Sequence, residues 1–466
     1  MSGAARVAGN RVSGWMSGLR DSGLLALVTR GSRDTLIQLA ATTLSRLGLA
    51  IAVLALAPFV SLEDLGRFDL FVVWSSFALL AVTIGMDSGL AIVPGRRTAR
   101  VRRLLLVVAL LVLAVLSAGF GGLILAVHLG GWLAPDTVQL AALTFGYGAL
   151  NGALTLVFQW LRWQGMAVAA SLVLLATNLA GFAAAALAFI AHRTIMAFML
   201  GVIAGSAAGL AFMLLYLSRA HGFGWRDLRT ALRGWILVRT ATVLLKLSVP
   251  YVTASLAVIS RRLIDRQFVL ALGDPALLGA YAIIARIAEL VAFAFAVPSI
   301  GFAPILVSRH DEAGVRRLGR ILYLGYLACM VPTLLSVWAL AKVYMPVPEG
   351  SEMQAVTALL LPILLGTLFL GEMSIAGFGY VLRRRAALYS MLSVAFPLLY
   401  VGLLWATGSQ GVIALGWSFA VSAFLFSTAM IAGSERLRMF GYPLIAIMLF
   451  KLTLLAVVLA PSILMP

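Results

Sequence analysis

The chain has 466 residues, 62% hydrophobic and only 11% charged, with a mean hydropathy of +1.05. That balance excludes a soluble globular domain. Lys and Arg number 35 against 17 Asp and Glu, a net charge of +18, but they are dispersed through short loops between apolar runs. Dispersal of this kind excludes a nucleic-acid patch and follows the positive-inside rule of membrane proteins.

Residues 1–33 are a Gly- and Ser-rich tail with Arg6, Arg11, Arg20 and Arg30. Its apolar patch Leu24–Val28 is too short for a signal-peptide core, so the tail is expected to be cytoplasmic. A helix needs about 20 apolar residues to cross the hydrocarbon. By that measure residues 34–217 hold six spans: Thr35–Ala57, Phe68–Val93, Leu104–Leu129, Val138–Leu161, Met166–Ala191 and Thr194–Leu217. Residues 218–240 read as a cytoplasmic linker rich in arginine. Six more spans fill residues 241–432: Ala241–Ala271, Ala276–Val307, Ile321–Tyr344, Met353–Phe378, Ala386–Ala406 and Val412–Ala432. The segment 433–466 adds a thirteenth candidate, Leu444–Leu464, interrupted by Lys451. The single cysteine, Cys329, lies within a span and rules out a disulfide framework.

Every second loop is basic. Pro94–Arg103 reads PGRRTARVRR, Ser308–Arg320 reads SRHDEAGVRRLGR, and Arg383, Arg384 and Arg385 stand together. Arg67 and Arg193 are the arginines of the opposite loops. The asymmetry places the tail and the basic loops in the cytoplasm. The outer loops, such as Gly130–Thr137 and Thr407–Gly411, are short.

The segment Ser61–Val93 resembles Gly273–Val307, with Gly66 and Phe68 aligning with Gly279 and Tyr281. Six spans separate the two copies. An even number gives both units one orientation, so the expected fold is all-α. It has two six-helix lobes, related by a pseudo-two-fold along the membrane normal, and an extra C-terminal helix. Binding sites in such proteins lie between the repeats near the midplane.

Charges inside spans are the functional candidates. A charge as deep as Arg46 costs about 2.5–3.5 kcal/mol, and is kept where it faces a cavity, a partner or a path. Arg46 can line a cavity or pair with Asp87 or Asp265. Arg286 and Glu289, three apart, share a helical face and can serve a cavity or neutralise each other. Of Arg261, Arg262, Asp265 and Arg266, the sequence favours Arg262 for the cavity. Asp265 is read as a structural partner of Arg261 or Arg262, and Arg266 as snorkelling to the interface. Asp87, beside Gly85 and Gly89, marks a helix distortion or an ion-coupling site. Glu372 is a candidate proton or sodium site, with Asp265 as a further coupling candidate. Lys451 is expected to anchor the last helix. Asn151, Thr155 and Gln159 share one face, fit for sugar hydroxyls or for helix–helix hydrogen bonds. Trp132, Trp338 and Trp405 read as an interfacial belt. No metal or nucleophile constellation and no Gly-rich phosphate loop appear in the sequence, so neither a cofactor nor catalysis is expected.

Ile259–Val307, together with LEDLGRF and IGMDSGL in the first half, resembles the polysaccharide flippases of the multidrug/oligosaccharidyl-lipid/polysaccharide exporter superfamily. Related lipid II flippases have Ser-Arg in the first span and Arg-x-x-Glu-Leu in the eighth, matched here by Ser45-Arg46 and by Arg286, Glu289 and Leu290. The resemblance implies that Arg46 and Arg286 line a central cavity and meet a lipid diphosphate. Ala52 stands where those proteins carry a further arginine, which argues against lipid II itself. The implied function is transfer of polyprenyl-diphosphate-linked oligosaccharide to the outer leaflet of a bacterial inner membrane. Its products would be O-antigen lipopolysaccharide, capsule or exopolysaccharide. Membrane lipids, a polysaccharide polymerase and glycosyltransferases are the implied partners. The alternative within the superfamily is a cation-coupled multidrug antiporter. A membrane-bound polysaccharide polymerase or ligase is disfavoured by the short outer loops.

Overall fold

In the computed structural model the described residues run from 40 to 464, except 42–43, 45–47, 93–98, 133, 165, 273–274, 309–311, 345–355, 383–384, 409–410 and 437–442. They form sixteen helices in our numbering. The first lobe comprises α1 (48–56), α2 (Leu62–Thr83), α3 (Met86–Ile92), α4 (Ala99–Leu129), α5 (Pro135–Trp163), α6 (Ala167–His192) and α7 (Ile195–His221). A short helix, α8 (Trp225–Ala231), leads to the second lobe. That lobe comprises α9 (Gly234–Ala271), α10 (Pro275–Ser308), α11 (Glu312–Tyr344), α12 (Leu360–Gly371), α13 (Met373–Leu382), α14 (Ala386–Thr407) and α15 (Val412–Arg436). An additional helix, α16 (Leu444–Leu464), packs on α12 and α15. Among the described residues, nine helices are long and apolar enough to cross a membrane, and the chain is a multi-pass membrane protein.

Two of the twelve spans are each built from two helices. The second span is α2 plus α3, broken at Ile84 and Gly85, whose φ values are 43° and 65°. Ile84 caps α2 by donating to the Leu80 carbonyl, and Asp87 stands in the first turn of α3. Gly85 is required there twice over. Its φ is left-handed, and a Cβ would lie 2.7 Å from Val252 of α9. The tenth span is α12 plus α13, with Glu372 at the join.

The second span also begins earlier than the hydropathy suggests, at Leu62 rather than Phe68. Ser61 caps it, its hydroxyl accepting from the Asp64 amide at 3.1 Å, and Glu63 and Asp64 complement the helix dipole. Asp69 therefore lies about 10 Å inside the helix, not at its mouth. The seventh span likewise starts at Gly234 instead of Ala241.

The cores follow the lobes, and α9 belongs to both. In the first lobe one cluster gathers Val108, Leu156 and Leu217, and includes Leu244 from α9. The second-lobe cluster gathers Tyr281, Phe369 and Phe419, and includes Val269 from the far half of α9. At about 57 Å this helix exceeds the bilayer core and bridges one lobe to the other. The lobes also touch through α2 and α10. A Cβ on Gly279 would lie only 1.9 Å from the Leu62 carbonyl oxygen, so the two backbones are in direct contact. These are the two helices that carry the aligned repeat segments. Leucines such as Leu129 and aromatics such as Trp132 and Trp405 remain exposed, as lipid-facing and interfacial positions do.

Candidate functional site

Where α2, α9 and α10 meet, seven charged side chains form one network. Asp69, wholly buried on α2, is shared by two arginines of the other lobe. Arg266 of α9 donates through Nε to its Oδ2 at 2.7 Å, and Arg286 of α10 donates through Nη2 to its Oδ1. Arg286 also donates through Nη1 to Glu289 Oε2 at 2.6 Å. Glu289 Oε1 in turn lies 3.3 Å from Arg262 Nε. On the adjoining side Asp265 pairs with Arg261 at 2.8 Å and accepts from the hydroxyls of Tyr281 at 2.7 Å and Tyr400 at 2.5 Å. Arg261 stacks over Phe419 at 3.8 Å.

Exposure grades across the network. The Asp69, Asp265 and Arg266 side chains are fully buried and Arg286 is 3% exposed, whereas Glu289 is 14% and Arg262 30% exposed. Arg262 and Glu289 therefore form its rim. Four guanidinium groups face three carboxylates, and Arg261 Nε, Arg266 Nη1, Arg266 Nη2 and Arg286 Nε find no acceptor among the described residues. Burying charge is tolerated only with compensation, and a buried ionic group stripped of its partner is costly. The network can hold two lobes together, and it can offer spare donors to an anion.

The sequence-derived candidates are distributed unevenly over this geometry. Arg262, Arg286, Glu289 and Asp265 meet in the network, and the expected pairings Arg286–Glu289 and Asp265–Arg261 are present. Arg266 is a correction. It does not snorkel, because Asp69 gives its guanidinium a buried partner on the facing helix. Arg46 and Ser45 lie outside the described residues. Asp87 is at the α3 start, beside the break expected there. Asn151 and Gln159 sit on α5 within the first lobe. The Asn151 amide donates to the Tyr147 carbonyl at 3.1 Å, while Gln159 Oε1 is buried with no donor among the described residues.

Glu372 belongs to a second charged group, inside the second lobe alone. Lys451 of α16, completely buried, donates to Glu372 Oε2 at 2.8 Å and to Ser427 Oγ at 2.5 Å. The Tyr323 hydroxyl donates to Glu372 Oε2 at 3.4 Å. This is how the last helix is anchored.

Asp69 is the residue that sequence reasoning passed over. Its signal was available: Leu65, Asp69 and Val72 follow helical spacing on one buried face, while Glu63 and Arg67 pair on the exposed one. No cluster of His, Cys, Asp and Glu able to hold a metal occurs among the described residues. An apolar cleft of about 480 Å3 between α1, α6 and α7, lined by residues such as Ile51, Leu179 and Phe182, lies apart from the charges.

No family model matches the chain, and no curated protein matches it. Solved structures do. The fold is similar to that of a mutant of the Vibrio cholerae MATE transporter VcmN, at 14% identity and a TM-score of 0.65, over 90% of this chain and 98% of that one. It is similar to the inward-facing conformation of a multidrug resistance MATE family transporter of the MOP superfamily, at 16% identity and a TM-score of 0.63, over 88% and 100%. A MOP superfamily transporter from Pyrococcus furiosus, described as having a binding pocket of reverse polarity that suggests a different function, matches at 14% identity. Its TM-score is 0.57, over 88% and 95%. At these identities the likeness establishes the fold, two lobes of six helices.

Proposed function

We propose that the chain is a membrane transporter working by alternating access between its lobes, and that its cargo is an anionic lipid-linked molecule. A polyprenyl-diphosphate-linked oligosaccharide is the cargo that fits best. The observation that carries this reading is the arginine excess of the network, with four buried or half-buried guanidiniums against three carboxylates. Guanidinium forks suit phosphate oxygens, and Arg262 at the rim is placed to meet them first. Moving a charged, sugar-bearing head through bare hydrocarbon is prohibitive, whereas a polar chamber between lobes removes that cost. The apolar tail stays in the bilayer while the lobes rock. With the orientation expected from the loops, α2 and α10 close the outward side in this state.

The second reading is a cation-coupled multidrug antiporter. The structural comparisons favour it over the first, since two of the three similar structures described above are named as MATE transporters. Its cation sites would be sought at Asp69, Asp87, Asp265 and Glu372. The Pyrococcus transporter is described as having a pocket of reverse polarity that suggests a different function, so a cargo other than a multidrug cation is compatible with this fold.

Reconstitution separates the two. In proteoliposomes the wild-type chain should move a fluorescent polyprenyl-diphosphate saccharide between leaflets, and Arg286→Gln should abolish it. Absence of flipping, together with ethidium export by the wild type, would establish the second reading instead.

A further inference from the structure

Both oxygens of Asp69 are spent on arginines that belong to the opposite lobe, and those arginines still have donors to spare. Arg266 Nη1 and Nη2 and Arg286 Nε are buried with no acceptor among the described residues, and the Arg266 Nη1 to Asp265 Oδ2 separation of 3.7 Å is too long for a hydrogen bond. A carboxylate has too few oxygens for this set. A phosphate presents three, and a diphosphate more, in the charge-assisted geometry that guanidinium forks favour. We infer that Asp69 is a resident counter-anion, occupying from within the chain an oxyanion site built by Arg266 and Arg286, and that the diphosphate of the cargo replaces it.

The placement gives this exchange a consequence. Asp69 is on α2 of the first lobe, and Arg266 and Arg286 are on α9 and α10. While Asp69 fills the site, the lobes are tied at the end where α2 and α10 touch. A diphosphate in its place satisfies the same two arginines without tying them to α2. The swap trades one anion for another, so neither state leaves bare guanidinium in a dry interface. Arg262 and Glu289, the more exposed rim of the network, mark the side from which the anion arrives. A cargo without an oxyanion cannot displace Asp69, so the site would select diphosphate-bearing lipids over neutral glycolipids.

This inference rests on the anionic-cargo reading, and the test separates the two. Full-length protein in detergent micelles is titrated with sodium pyrophosphate and, separately, with a polyprenyl diphosphate. Asp69→Asn should bind both about tenfold or more tighter than wild type, because a like charge no longer competes at the site. Adding Arg266→Gln should remove the gain. Spin labels at positions 63 and 272, at the α2 and α9 ends, should separate when polyprenyl diphosphate is added to the labelled chain carrying native Asp69. If Arg286→Gln weakens binding but Asp69→Asn does not strengthen it, the resident anion is refuted and the anionic cargo stands. If no variant binds either probe, both fall. Tightening toward pyrophosphate alone overturns exchange by a lipid. Should Asp69→Asn not fold, the label distance decides, and an unchanged spacing at saturating lipid overturns the inference.

Discussion

Among the described residues, charge is buried in two places, and the two are built on opposite plans. The Glu372–Lys451 pair lies wholly within the second lobe and its extra helix, with one cation for one anion and Ser427 and Tyr323 around them. The Asp69 network joins one lobe to the other, with more guanidinium than carboxylate and donors left over. A matched pair inside one rigid body can be permanent. A bond between bodies that must separate has to be exchangeable, and a surplus of donors is what makes it so. Buried ion pairs are weak evidence of stability as such, because desolvation offsets their attraction. On the proposed reading, the first is structural and the second takes part in transport.

The comparison breaks most visibly at Lys451. Lys451→Ala strands a buried carboxylate and is expected to cost about 3–5 kcal/mol, read by unfolding titration in mixed micelles. The double replacement Glu372→Gln with Lys451→Met should recover most of that loss and retain transport. The same neutralisation at the interface, Asp69→Asn with Arg286→Gln, should fold and yet fail in the leaflet-transfer assay. Transport lost in the first double variant and kept in the second would reverse the assignment of roles.

Smaller changes sharpen it. Tyr400→Phe removes the buried hydrogen bond to the Asp265 side chain and should cost about 1–3 kcal/mol in the same titration. Gly279→Ala places a methyl against the Leu62 carbonyl. It should cost about 1–3 kcal/mol and shift labelled protein toward separation of α2 from α10. Arg67→Gln breaks a solvent-facing pair with Glu63, both side chains more than half exposed, and should change stability by less than about 0.5 kcal/mol.

The two six-helix lobes were legible because apolar length is read directly against bilayer thickness, but the helices starting at Leu62, Ala99, Gly234 and Glu312 begin five to nine residues before the apolar runs. Arg262, Arg286 and Glu289 were legible because a charge inside an apolar run is conspicuous. Asp69 was not, for the complementary reason: as the second residue of the expected span Phe68–Val93, next to the charged LEDLGRF, it looks like a charge at the membrane surface. The helix starts early at the Ser61 cap, and that places Asp69 on its buried face. Arg266 was misread for want of the same partner, since an arginine near a span end looks destined for water until a carboxylate on another helix claims it. The exposure gradient from Arg266 to Arg262 depends on lobe packing and has no local trace in the sequence.

The tether between α16 and the second lobe has a practical corollary. A version shortened to the twelve conventional spans would strip Glu372 of its ammonium while leaving it sealed in a dry interior. The expected phenotype is poor accumulation and rapid proteolysis, even with every residue of the lobe interface untouched.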